Sequence, residues 1–358
     1  MNRRWSVLSA LLATALLLVS MPGLVQKHLS SPGRTDERLR PAASRTLVVW
    51  VSSWLEEDRQ LISSLCADFE KQRPGVRLYL RRVDAAELNA PGAVLPDVLL
   101  HTTGDVLSPG DTLLPLPDPE GVEEGLLASG KNRGTLYGIP LWYSPLVLTL
   151  PKVWFQEETP AQADDPGKAY FSLATPVPEK QPAAVTLADV PWPRMLESGS
   201  AVCESGLGLP VLLLHCPSSL RAELAALTPA LRRPEGDEAG ICSLSASLAR
   251  EKEAFLLPLP PPIGQKVRYV SLCRSGEDAE ALLAFLLSGA VQGAAAENHL
   301  VPTMAAFVPE GSWVASIAAG GAAFVPNAFQ MEASAMEQLC IQDFRRREDP
   351  VATLLKLR

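Results

Sequence analysis

The stretch TLVVWVSSWLEED, residues 46–58, decides the fold. Thr46 to Val51 is a continuous run of strand-forming residues, the pattern of a buried strand. A helix follows it directly. Leu61, Ile62, Leu65 and Phe69 recur near 3.6-residue spacing and so share one face. Ser53 and Glu56 make an S-x-x-E capping box at the start, and Pro74-Gly75 closes the end. Two indoles, Trp50 and Trp54, bracket Ser52-Ser53 at the junction.

Beyond that helix, VRLYLRR (76–82) alternates like a half-exposed strand. A helical turn near Asp84–Asn89 leads to a second buried strand, DVLLH (97–101). The order β-α-β-(α)-β predicts an α/β fold with a mainly parallel sheet and helices on its faces. A short helix is expected over Glu120–Ser129, stopped by Gly130, and two strands with an aromatic kink over 135–150. PVLLLHC (210–216) reads as an apolar strand ending at His215, and Ser218–Leu231 as a helix. AFLLPL (254–259) and KVRYVSLC (266–273) are strands. A capping box at Ser275–Asp278 opens a helix to Leu287, followed by helices over 289–297 and Met331–Arg347.

The chain has 358 residues, enough for two or more domains. Its 32 prolines are about twice the usual share of roughly 5%, and eight fall between Pro151 and Pro193, marking an irregular region. Residues 1–45 carry +5, which leaves the remainder of the −8 chain at −13. An acidic body without a basic stripe excludes nucleic acid as a partner. The basic start belongs to a targeting segment. Arg3 and Arg4 precede an apolar run from Val7 to Val19, broken by Pro22-Gly23. Residues 1–25 read as a secretory signal or an uncleaved signal-anchor, and either one exports the body. Residues 27–45 form a polar linker. The first cysteine is Cys66, which rules out a lipid-bearing cysteine just after the signal.

Six cysteines (66, 203, 216, 242, 273 and 340) show no metal-ligand spacing, and no cofactor is expected. Buried free thiols account for them; a Cys203–Cys216 or Cys216–Cys242 bridge is the alternative that export permits. The chain has no G-x-S-x-G, P-loop or H-E-x-x-H motif. His101 and His215 read as structural histidines, so no enzyme activity is expected.

Four segments together carry a family resemblance: DFEKQRPGVRLYL (68–80) after the opening strand and helix, LPDVLLHTTGD (95–105), LYGIPLWYSPLVLTLPKVWF (136–155), and the long stretch 254–307. Their order resembles the extracellular solute-binding proteins of ABC importers, in the cluster that includes maltose-binding protein. The resemblance implies a two-lobed periplasmic-binding-protein-like fold. Lobe 1 would combine 46–142 with 265–306, and lobe 2 would combine 146–264 with 307–358, around a hinge and a ligand cleft. It also implies a small-molecule ligand, above all a sugar, permease subunits as partners, a monomer, and membrane attachment only through the N-terminal segment. The protein would then work on the extracellular face of the cytoplasmic membrane or in the periplasm. The chain departs from the family in its short, proline-rich second lobe. It has Leu150-Pro151-Lys152 where "YNK" is frequent, and it lacks the anchor cysteine. A relative that keeps the fold as a sensor or interaction module is therefore the alternative function.

Ligands of open parallel sheets sit beyond the C-terminal strand ends. That edge nominates Trp50, Ser52, Ser53, Trp54 and Asp105 as ligand-binding residues, with Trp142 and Tyr143 at the expected crossing. Indole faces stack on sugar C–H faces, and a carboxylate accepts hydroxyl hydrogen bonds strongly. Each residue also has a plain structural role open to it: core packing for Trp50, stapling for Trp54, a helix cap for Ser53 and a turn for Asp105.

Overall fold

The computed structural model describes residues 45–52, 58–155, 187–197, 200–248, 250–258, 266–308 and 327–355. The targeting segment, the linker up to residue 44, the Ser53–Glu56 box and most of the proline-rich stretch lie outside them.

A six-stranded sheet forms from β1 (Arg45–Ser52), β2 (Val76–Val83), β3 (Val98–His101), β6 (Ile139–Ser144), β12 (Lys266–Leu272) and β13 (Val301–Pro302). Its order is β13-β6-β12-β3-β1-β2. A small hairpin, β4 (Lys131–Asn132) and β5 (Thr135–Leu136), precedes β6. A five-stranded sheet of order β11-β7-β10-β8-β9 joins β7 (Leu146–Pro151), β8 (Ser200–Cys203), β9 (Thr228–Leu231), β10 (Gly240–Ser243) and β11 (Ala254–Pro258). Parallel ladders occupy one side of each sheet, β2-β1-β3 and β9-β8-β10. The strands that enter or leave a sheet through the crossings, β6, β7, β11 and β12, pair antiparallel.

Helix α1 (Arg59–Gln72) buries Leu61, Ile62, Leu65 and Phe69, the stripe the spacing predicts. They pack with Val49, Val98 and Val270 on one face of the first sheet. Each buried side chain of this size contributes about 1.5–3 kcal/mol. Trp50, Leu99, Tyr143, Tyr269 and Phe329 form the core of the opposite face. Helix α2 (Ala85–Leu88) is capped by Asp84, which accepts from the Glu87 amide at 2.8 Å.

Helix α3 (Glu124–Ser129) stops at Gly130, as expected. Gly130 is required for packing. A Cβ there would stand 1.9 Å from the Gly138 carbonyl oxygen, a backbone atom held because the Gly138 and Tyr137 amides both donate to the Gly130 carbonyl. Gly130→Ala is expected to cost about 2 kcal/mol and to lower Tm by about 4–8 °C in thermal unfolding followed by circular dichroism. A melt within 1 °C of the parent, about the scatter of such a measurement, would sink the clash argument.

Three sequence expectations need correction. PVLLLHC is not a strand: helix α4 (Gly208–His215) covers it, and Gly208 through Leu213 are all buried. A fully buried apolar run carries no period, so helix and strand read alike. The helix expected over Ser218–Leu231 divides into a single turn, α5 (Arg221–Leu224), and strand β9. Helix α6 (Glu277–Leu286) has Gly276 at its N-cap and no side-chain cap. Asp278 is engaged instead by Arg45 at 3.1 Å and Arg73 at 3.3 Å. The remaining long helices are α7 (Gly289–Glu297) and α8 (Ala333–Arg346), close to their expected spans. All six cysteines are free, so neither proposed bridge is formed.

Candidate functional site

The topology turns the same edge of both sheets toward one crossing. β6 runs antiparallel to β12, which runs antiparallel to β3, so Ser144 ends β6 beside the C-terminal ends of β1 and β3. Only Pro145 separates β6 from β7. β7 begins with Leu146 paired to Ser243, the C-terminal residue of β10, which runs parallel to β8. Both parallel sets therefore present their C-terminal ends at the crossing, the edge where α/β sheets bind ligands.

On the first sheet this edge is built on a buried ion pair. Arg268 holds Asp58 through Nε–Oδ2 at 2.7 Å and Nη2–Oδ1 at 3.0 Å, and both side chains are fully buried. Arg268 Nη1 donates to Ser52 Oγ at 2.9 Å. Trp142 Nε1 donates to Asp58 Oδ2 at 3.0 Å. One carboxylate thus ties β12, β6 and the start of α1 together, with β1 joined through Ser52. Asp58 is the N-cap residue of α1 but makes no side-chain cap bond; its oxygens serve the arginine and the indole.

The second sheet supplies a facing cluster. Glu204, just past β8, accepts from Arg233 Nη2 at 2.9 Å and Nε at 3.1 Å, and from the Ser243 amide at 2.7 Å. Lys266, the first residue of β12 in the other sheet, places Nζ 3.9 Å from Glu204. Burial raises the Glu204 carboxyl, but Lys266, the Ser243 amide and Arg233 together hold it below its ordinary value. Glu337 on α8 goes the other way: burial raises its carboxyl, and Lys266 and the Gly206 amide only partly offset this. Lys266 thus links the two sheets electrostatically.

The nominated residues divide. Ser52 and Trp142 meet at the Asp58–Arg268 pair, both buried. Trp50 is buried on the other face with the Arg81 guanidinium 5.0 Å over its ring, beside a hollow of about 520 Å3 that Tyr79 and Val94 also line. Asp105 is 5% exposed and closes its own turn, accepting from the Thr102 amide at 2.6 Å and hydroxyl at 3.1 Å. Tyr143 is buried in the core with Val267 and Val301, and burial, then Glu123, pushes its hydroxyl above the usual range. Ser53 and Trp54 lie outside the described residues. Sequence reading missed Asp58, Glu204, Arg233, Lys266 and Arg268. The signal was present in KVRYVSL: a lysine and an arginine inside a buried strand each require a carboxylate partner. Among the described residues no group of three or more His, Cys, Asp or Glu side chains is placed to hold a metal ion.

This is the two-lobed, periplasmic-binding-protein-like fold, mixed α/β with a hinge between the lobes. No protein-family model and no curated protein matches the sequence. Solved structures match the fold. The GacH receptor of Streptomyces glaucescens, solved unliganded and with acarbose, is 15% identical with a TM-score of 0.55, over 87% of this chain and 96% of its own. The mannobiose-bound CpMnBP1 is 13% identical with a TM-score of 0.55, over 88% of this chain and 98% of its own. The maltose-maltodextrin binding protein of Alicyclobacillus acidocaldarius is 11% identical with a TM-score of 0.57, over 87% and 98%.

Proposed function

We propose that this chain is an exported solute-binding protein that captures a carbohydrate or similar polar solute for an ABC importer. The observation that carries this reading is the convergence of both sheets' ligand edges on one polar crossing, within a fold matched almost end to end by sugar receptors. The lobes are 46–142 with 265–306, and 146–264 with 307–358. The membership of the two sheets supports that division. Ser53, Trp54 and Asp105 contact the ligand at the strand ends, while Ser52 and Trp142 fix the floor beneath it. Trp50 and Tyr143 act from the opposite face of the first sheet. The ligand stabilises the closed form by touching both lobes. The protein needs no cofactor and catalyses no reaction. It works as a monomer outside the cytoplasmic membrane, attached or delivered by its N-terminal segment.

The full chain should respond to a panel of mono- and oligosaccharides that includes maltose and mannobiose. A sugar at 100 times its Kd is expected to add about 2.7 kcal/mol of stability and to change tryptophan emission. Trp54→Ala should keep the melting temperature and lose that response. Silence across the whole panel would remove the reading.

One observation favours the alternative, a sensor or interaction module that keeps the fold without transport. The charged side chains at the crossing engage one another, Arg268 with Asp58 and Arg233 with Glu204. Neighbouring permease genes would count against that alternative, and neighbouring histidine-kinase genes without permeases would favour it.

A further inference from the structure

Among the described residues four buried side chains hold a polar atom with no partner, Thr103, Ser144, Ser205 and Gln292, and Ser144 is the one in the strand that enters the crossing. Ser144 is fully buried, and its hydroxyl makes no hydrogen bond. Buried hydroxyls are nearly always bonded, because an unmet one costs its full desolvation. Its position makes the exception informative. Ser144 is the last residue of β6, one peptide before Pro145 and the crossing to the second sheet. It stands in register with Lys266 on β12, so the two side chains share one face of the sheet. The next pair on that face is Trp142 with Arg268, which already serves Asp58.

Among the described residues, the charges grouped with Lys266 beside Ser144 balance. Lys266 and Arg233 contribute two positive charges, and Glu204 and Glu337 are the acids that face them. Among the described residues an added anion would find no spare cation there, and an added cation no spare carboxylate. A neutral group that both donates and accepts fits this surrounding best, and that is the chemistry of a sugar hydroxyl.

We propose that Ser144 is a ligand-reading residue at the hinge, its hydroxyl exchanging a hydrogen bond with one hydroxyl of a neutral sugar beside Lys266. This rests on the solute-binding reading above and assigns it a subsite. A serine at this position reports occupancy to both sheets at once, since β6 belongs to one and the next strand to the other.

The test is Ser144→Ala in the full chain, with maltose, mannobiose and a uronate-bearing disaccharide as probes. Two effects of opposite sign are expected. Without sugar, Tm rises by about 2–4 °C, because an unmet buried hydroxyl is gone. With maltose or mannobiose, whichever binds the parent, affinity falls about tenfold, one hydrogen bond's worth. A merely structural serine would give the reverse pair, a lower Tm and unchanged affinity, and that result overturns the proposal. Tighter binding of the uronate than of either neutral sugar overturns it as well. A parent that binds no probe removes the sugar-receptor reading and this subsite with it, whereas a parent that binds while Ser144→Ala binds equally removes the subsite alone.

Discussion

Asp58→Ala is expected to destabilise the protein by about 3–5 kcal/mol, the usual cost of leaving a buried charge without its partner. The geometry accounts for the size. Arg268 loses both bonds to the carboxylate, at 2.7 and 3.0 Å, while Ser52 Oγ, at 2.9 Å, is a neutral acceptor that cannot balance its charge. Trp142 loses its acceptor in the same step. With neither side chain exposed, water cannot compensate. Converted at about 2–4 °C per kcal/mol, Tm should fall by roughly 10 °C. Two controls separate this from a simple cavity. Added salt should leave the parent's pair untouched, because buried charges are screened little. Asp58→Leu combined with Arg268→Met should recover most of the loss, since an apolar pair of similar volume often replaces a buried ion pair at little cost. A double variant as unstable as Asp58→Ala would mean that packing, not charge, sets the effect. An Asp58→Ala melt within 2 °C of the parent, under 1 kcal/mol, would mean that Arg268 finds another carboxylate.

The same residues show how far the sequence could be read. Strands and helices with a clear period were legible: α1 buries the four side chains its spacing predicts. The apolar segment 208–215 was not, because a helix buried on all sides has no polar face to set its phase. The site was legible only as an edge. Strand order located the C-terminal ends of β1 and β3, yet Asp58 and Arg268 are 210 positions apart, and nothing local pairs them. Ser53 in S-x-x-E and Ser275 in S-G-E-D have the same local signature. At Ser275 the acid is taken by Arg45 and Arg73, and no cap bond forms. A local motif is overridden wherever a distant charge offers a better partner.

Acidification from pH 7 to pH 4.5 is expected to remove about 2.4 kcal/mol of stability through one residue, His101. The ring ends β3, is fully buried, and stacks 5.4 Å from Tyr269, with the Phe329 ring tilted against it at 5.7 Å. Burial lowers its pKa to about 4; Asp105 and the Thr102 carbonyl raise it, and Arg268 lowers it further. The bonds identify the tautomer of the neutral ring. Ser271 Oγ donates to the Tyr137 carbonyl at 2.7 Å, so it accepts from His101 Nε2–H at 2.9 Å. Nδ1 is left 3.3 Å from the Thr102 carbonyl, a contact that only a second ring proton would turn into a bond. Burial and hydrogen bonding therefore oppose each other. An unfolded histidine takes up its proton near pH 6.5, and the native one near 4. Between those values the unfolded state binds more protons, so stability falls as pH falls. The measurement is Tm against pH, for the parent and for His101→Gln. The variant starts lower, having lost ring packing, but its slope between pH 6.5 and 4.5 should be flatter. If the Thr102 contact outweighed burial, the native pKa would exceed 6.5, and the parent's Tm would rise on acidification through that window. That rise would overturn the assignment.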